Sequence, residues 1–283
     1  MQNVKLTLLT AASLLMATVG SAALVAADDF ESYGTGSLSG GNGGTGWQNT
    51  WTSNSTTVVD GGLSYSNGSV NVNGGSRSIS VTSTSNNNIL RQFDGAGTGN
   101  EVYFSFLFQM ASGEGPEFFN VSLNSIEQTG TDANKNSPGQ IGDLDTGSFD
   151  FGARMARNGG DSSGISYGTG QTHLLVGRIS NAGTSDATGA NYDLVELWVD
   201  PDSSFLGTPD AFVDSNTTGT AVGSLQYINM RTANVGSGDD LRYDEFRIGT
   251  SADSVVIPEP STMALFAGSL LVFGLTAVRR RRS

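Results

Sequence analysis

Apolar residues recur at every second position through the middle of this chain, the period of a strand rather than the 3.6 of a helix. The clearest run is Glu101 to Met110, where Val102, Phe104, Phe106, Phe108 and Met110 share one face and Tyr103, Ser105, Leu107 and Gln109 the other. Five large side chains on one side demand burial. Shorter runs of the same kind lie at Thr57 to Asp60, Ser78 to Thr82, Glu117 to Leu123, Ser148 to Arg157, Thr172 to Ile179, Tyr192 to Val199, Leu225 to Arg231 and Leu241 to Ile248. Between them, clusters of Gly, Asn, Ser, Thr and Asp such as Ser66 to Ser76 and Thr129 to Gly142 have the chemistry of turns and loops. No helical period survives outside the termini and no internal repeat is visible. The pattern predicts an all-β chain with a single antiparallel jelly-roll or β-sandwich domain.

Both ends break the pattern. Met1 to Lys5 is a short basic start, Leu6 to Val19 is apolar, and Val25-Ala26-Ala27 is a small-residue site before Asp28. This is the layout of a secretory signal peptide over residues 1–27, with Ala23 as an earlier cleavage point. At the other end, Pro258-Glu259-Pro260 precedes an uncharged run to Val278 and then Arg279, Arg280, Arg281 and Arg282. Eighteen helical residues at about 1.5 Å each reach roughly 27 Å, enough to span a bilayer core. Four arginines resist crossing and favour the cytoplasmic side, so this transmembrane helix is expected to leave Pro258 outside. Pro258 and Pro260 keep Glu259 in a non-helical stretch, the form in which a processing enzyme grips a peptide. The expected organisation is a signal peptide over 1–27, a β-sandwich over 28–256 and a sorting tail over 257–283.

Composition narrows the partners. Without the two ends, 9 basic residues stand against 26 acidic ones, a net charge of −17. Nucleic acid and anionic lipid are poor partners for such a surface. There are no cysteines, so neither disulfides nor thiol chemistry contributes, and stability must come from the core. Glycine, at 39 of 283 residues, is about twice its usual frequency and disfavours helix.

The order of motif, apolar run and arginine cluster resembles the PEP-CTERM sorting signal of exported bacterial proteins. The resemblance implies export through the secretion translocon, an inner-membrane anchor before processing, cutting near Pro-Glu-Pro by a membrane peptidase called exosortase, and delivery to the cell envelope or extracellular matrix. A second resemblance covers the domain itself. It rests on Asp28-Asp29-Phe30-Glu31-Ser32-Tyr33, Gly44-Thr45-Gly46-Trp47 and Trp51 at the start, Leu174 to Ile179 and Asp193 to Pro201 in the second half, and Asp244 to Gly249 at the close. This pattern is similar to concanavalin A-like lectin/glucanase jelly rolls. The resemblance implies that the first and last strands lie side by side, and it brings extracellular polysaccharide into view as a ligand.

The chemistry of that fold can be tested on the residues. A retaining glycosidase needs two carboxyl groups about 5.5 Å apart. The Glu-x-Asp-x-x-Glu strand of laminarinase-like enzymes is absent, and of Asp193, Glu196 and Asp200 the last two stand about 13 Å apart at strand rise. Asp143 and Asp145 lie in a glycine-rich loop, and His173 is the only histidine, with no nucleophile-elbow motif. The expectation is a non-catalytic, lectin-like module with a structural, adhesive or polysaccharide-binding role, with a divergent glycoside hydrolase of the laminarinase-like class as the alternative. Trp47, Trp51 and Trp198 are the candidates for stacking on sugar rings. Asp29 and Asp244 are candidate calcium ligands, although no metal-loop spacing is present.

Overall fold

The computed structural model describes residues 23–96, 101–113, 118–125, 127, 139–144, 149–155, 158–181, 192–214 and 225–256. The apolar stretch before Ala23 lies outside them, as does the tail with Pro258, Glu259, Pro260 and Arg279 to Arg282. Among the described residues no helix is long and apolar enough to cross a membrane.

The period-two runs become strands, every named pairing is antiparallel, and two sheets face each other as a sandwich. Among the described residues nine strands form the first sheet. In spatial order these are β16 (Ala211–Asp214), β15 (Leu194–Val199), β14 (Thr172–Ser180), β9 (Glu101–Ser112), β18 (Asp240–Gly249), β7 (Arg77–Val81), β4 (Thr56–Asp60) and β2 (Gly36–Ser37), with β1 (Leu24–Asp28) beside the second half of β18. The second sheet runs β13 (Asn158–Ser166), β12 (Asp150–Met155), β11 (Gln140–Asp143), β10 (Phe118–Asn124), β17 (Leu225–Ala233), β8 (Asn87–Ala96) and β3 (Thr52–Ser53). A hairpin of β5 (Ser64–Asn67) and β6 (Val70–Asn73) stands apart from both, and α1 (Ala252–Val255) closes the described chain.

The main core lies between the sheets. The five-residue face of β9 is buried there, and Phe108 stacks on Phe119 of the opposite sheet with ring centroids 4.1 Å apart. Phe151, Tyr167 and Tyr243 pack edge-on or tilted around that pair. A second, smaller core covers the outer face of the first sheet. Tyr103, Leu107, Leu174, Val176 and Trp198 face outward there and are buried beneath Leu63, Tyr65, Val70 and Val72 of the hairpin region and by Val255 and Val256. The second face of β9 is therefore also dry, which explains a strand with apolar residues on both sides.

The first and last strands do lie side by side, with Asp28 opposite Phe246. A bulge makes this possible. Between Asp244 and Arg247 the register of β18 against β9 shifts, and Glu245 takes a left-handed φ of 50°. Before the bulge β18 pairs with β7, and after it with β1. The bulge turns Phe246 inward, where it meets Phe30 edge-on at 5.9 Å and packs on Trp51 and Phe106.

Two expectations change. Ser66 to Ser76, read as loop, contains most of the β5–β6 hairpin, because Val70 and Val72 alternate with asparagines and are buried. The stretch read as loop up to Gly142 ends in β11, a short strand with its one large apolar residue, Ile141, in the core. β1 begins ahead of Asp28, with Ala26 buried and pairing to β18 running from Leu24.

Candidate functional site

A concavity forms where β15 leaves the first sheet. Alternation along Leu194–Val199 turns Trp198 to the outer face, and the Asp200-Pro201-Asp202 turn begins at a left-handed φ of 53° on Asp200. Asp200 holds that turn with both oxygens. Its Oδ1 accepts from the Leu174 amide at 2.9 Å, and its Oδ2 is 2.7 Å from His173 Nδ1. The loop then folds back over the strand, since Trp198 Nε1 donates to the Gly207 carbonyl at 3.0 Å and Asp210 Oδ2 accepts from the Val199 amide at 2.8 Å.

The tip of the β5–β6 hairpin forms the opposite wall. Asn67 Nδ2 donates to the Asp200 carbonyl at 2.8 Å, the Ser69 amide and hydroxyl donate to the Asp202 carbonyl at 2.9 and 3.0 Å, and the Tyr65 hydroxyl donates to the Pro201 carbonyl at 3.3 Å. Gly68 turns the tip at φ 54°, and a Cβ there would lie 2.7 Å from the Asp202 carbonyl oxygen. Only glycine fits that approach. Between these walls lies a cavity of about 270 Å³ lined by Asn67, Trp198, Asp202, Ser203, Phe205 and Asp210 among others. Phe205 is 89% exposed at its rim, which no other large apolar residue among the described ones approaches. Asp202 is exposed too, and its carboxylate accepts no hydrogen bond among the described residues.

The other tryptophans serve the core. Trp51 is 1% exposed, donates from Nε1 to Asp28 Oδ2 at 2.8 Å and is closed in by Phe30, Trp47 and Phe246, so it has no face left for a sugar. Trp47 is half-buried, donates from Nε1 to the Ala27 carbonyl at 2.9 Å and carries the Arg91 guanidinium 4.9 Å from its ring centre. Trp198 lines the cavity, though it is only 6% exposed and lies under Arg178.

Asp29 and Asp244 are not brought together as a donor set. Asp29 Oδ1 accepts from the Glu31 amide at 3.2 Å, while buried Asp244 accepts from the amides of Glu245 at 2.8 Å and Leu63 at 2.9 Å. Burial, reinforced by the nearby carboxylates of Glu245 and Glu31, pushes the Asp244 carboxyl up to about 8. Among the described residues no three His, Cys, Asp or Glu side chains converge closely enough to hold a metal ion. The carboxylates weighed for catalysis have structural partners. Glu196 pairs with Arg178, Asp200 with His173, and Asp143 accepts from the Tyr167 hydroxyl at 2.6 Å. Asp145 lies outside the described residues. His173 is buried against Phe151, 5.0 Å between ring centres.

A polar face on the second sheet was not legible beforehand. Cross-strand register aligns Leu90, Asn229, Ser122, Gln140 and Arg154 in one row and Asn88, Arg231 and Asn120 in the next. Phe118 lies under two guanidinium groups, with Arg231 at 4.9 Å and Arg154 at 5.6 Å. Asn120 Nδ2 and Arg154 Nη2 both donate to Gln140 Oε1, at 2.6 and 3.0 Å. The polar side chains here are secluded, Asn120, Ser122, Asn124, Gln140 and Asn229 being 1% exposed or less. β10, β11 and β17 place no carboxylate on this face.

Residues 256–282 match the family described as the PEP-CTERM protein-sorting motif. That motif speaks for an exported protein of the cell envelope, processed by an exosortase at the membrane. No curated protein matches the chain in sequence. Similar solved structures include domain 4 of AbnA, a GH43 extracellular arabinanase from Geobacillus stearothermophilus, at 11% identity and a TM-score of 0.43, covering 81% of this chain and 93% of that one. The carbohydrate recognition domain of Emp46p in its metal-free form is 11% identical with a TM-score of 0.43, over 70% of this chain and 87% of that one. The cellulose-induced protein Cip1 is 12% identical with a TM-score of 0.41, over 78% and 95%.

Proposed function

We propose that this chain is an exported envelope protein whose β-sandwich binds extracellular polysaccharide without cleaving it, through the cavity beside Trp198. The observation that carries the reading is Phe205, a fully formed aromatic face standing in water at the rim of a walled cavity that also offers an uncommitted carboxylate. Sugars present just these two needs, a weakly apolar ring face to stack and hydroxyls to donate. Phe205 supplies the first, Asp202 and the remaining lone pairs of Asp210 and Asn67 the second. The volume suits one sugar unit rather than a long buried ligand, so contact with a chain end or a single exposed residue of a polymer is expected.

The engagement of both Asp200 oxygens by His173 and the Leu174 amide, and of one Asp210 oxygen by the Val199 amide, supports binding over hydrolysis. Binding is to be measured by affinity electrophoresis of the processed protein in gels containing envelope polysaccharides, alongside Phe205→Ala and Asp202→Asn. Stacking on an aromatic ring is worth about 0.5–1.5 kcal/mol beyond burial, so the first variant should lose roughly three- to tenfold in affinity. Retardation unchanged in both variants would remove the site, and release of reducing ends from the polysaccharide would replace the reading with an enzyme.

A further inference from the structure

The sorting tail leaves the domain from the same side as the cavity. After β18 the chain turns back through α1 and lays Val255 and Val256, 1% and 0% exposed, into the second core on the outer face of the first sheet. The turn is fastened as well as buried. Ser105 Oγ donates to the Val255 carbonyl at 2.8 Å, the Val256 amide to the Ala252 carbonyl at 2.8 Å, and Ser254 Oγ to the Ser251 carbonyl at 2.6 Å. Trp198 stands opposite Val176, and Val176 opposite Ser105. Two strand spacings, about 10 Å, thus separate the tryptophan of the cavity from the serine that holds the exit.

The tether beyond that exit is short. Six residues, 257–262, separate buried Val256 from the apolar run that starts at Met263. Seven Cα steps reach about 25 Å when fully extended, and the prolines at 258 and 260 already favour that form. A domain of this length has a radius of gyration of about 17 Å, hence a diameter near 45 Å. The tether is shorter than the body it holds, so the domain cannot turn over.

We infer that the outer face of the first sheet, bearing both the tail exit and the Phe205 cavity, is turned toward the lipid surface until the tail is cut, so that cleavage uncovers the cavity. The partner is the bilayer surface itself, held by the tether and not by attraction, since Asp202 and Asp210 at the cavity repel anionic headgroups. The inference rests on the sorting reading of the tail and, for its consequence, on the binding reading of the cavity.

The absence of cysteine allows one labelled position at a time. The chain without its signal peptide and with its tail uncut, reconstituted in phosphatidylcholine vesicles carrying an acceptor lipid, is to be labelled at Ser66→Cys on the exposed side of the hairpin or at Ser162→Cys on the far sheet. Energy transfer to the bilayer should be several-fold greater from position 66. Equal transfer, or more from position 162, would overturn the inference. A spacer of about twenty Gly and Ser residues between Val256 and Ile257 adds roughly 25 Å of reach and should bring the two labels level. A bias that survives the spacer would mean that surface contacts set the orientation, and would overturn it as well. Failure of the processed protein to bind polysaccharide sinks the cavity's role and leaves this orientation standing. Failure of the uncut chain to join vesicles sinks the tail reading and the inference with it.

Discussion

The most demanding single residue in the domain is Asp28, a fully buried carboxylate that accepts from the Tyr33 hydroxyl at 2.6 Å, Trp51 Nε1 at 2.8 Å, Arg91 Nη1 at 2.8 Å and the Phe30 amide at 3.1 Å. Arg91, 2% exposed, also donates to the carbonyls of Asn49 and Gly43, at 2.7 and 2.8 Å. Every member is satisfied, and the network ties β1 and the segment after it to β8. Removing Arg91 strands the charge, so Arg91→Ala should cost roughly 3–5 kcal/mol in urea denaturation, far more than the removal of a surface arginine. Asp244 gives a different signature. Its carboxyl ordinarily titrates at 3.8 and burial holds it near 8, so the native state keeps a proton that the unfolded chain releases. That contribution is complete below pH 4 and is lost as pH rises toward 8. The melting temperature should therefore fall across this range, and Asp244→Asn should flatten the fall. A variant whose profile parallels the wild type would show that Asp244 is ionised in the fold.

At the scale of elements, what the sequence revealed depended on how cleanly each strand alternates. All nine runs with clear alternation are strands, from the five-residue face in β9 to the closing Leu241 to Ile248 run in β18. β8 escaped notice because Arg91 occupies an inward position between Ile89 and Phe93 and breaks the apolar period that marks a buried face. β13 has one large apolar residue in Asn158–Ser166, and the hairpin reads as a polar loop because only Tyr65, Val70 and Val72 point down. The site suffered likewise: Trp198 was legible only as one of three candidate aromatics, and Asn67, Asp202 and Phe205 meet through a contact between segments over 130 residues apart, which no local pattern encodes. The hairpin is the element on which that meeting depends. Gly68→Ala forces a Cβ against the Asp202 carbonyl and should weaken polysaccharide binding while leaving the main core intact, a split readable as lost retardation with near-normal unfolding. The N-terminal strand carries a prediction for processing. Cleavage after Ala27 would remove most of β1, including buried Ala26, whereas cleavage after Ala23 keeps the pairing of Leu24 with Gly249. N-terminal sequencing of the secreted protein should begin at Leu24. A start at Asp28 would mean that the sheet forms without its first strand.

Over the whole molecule, 26 acidic residues against 9 basic ones in the exported part make repulsion a collective property. Ion pairs among the described residues include Arg77 with Asp60, Arg178 with Glu196 and Glu101, Arg242 with Asp240, Arg247 with Glu245, and Arg91 with Asp28. With so few cations, the remaining carboxylates act on one another across a body about 45 Å wide. The Debye length is about 30 Å at 0.01 M salt and about 8 Å at 0.15 M, so the first condition lets charges feel each other across most of the domain and the second confines them to near neighbours. Salt also screens the surface pairs, but each of those contributes at most about 1 kcal/mol. Repulsion among seventeen uncompensated charges outweighs that loss, and the native state is the more compact and so the more strongly repelled. The melting temperature should accordingly rise between the two salt concentrations, in sodium chloride and potassium chloride alike. A fall on adding salt would mean that the pairs dominate, and that the acidic surface is locally compensated after all.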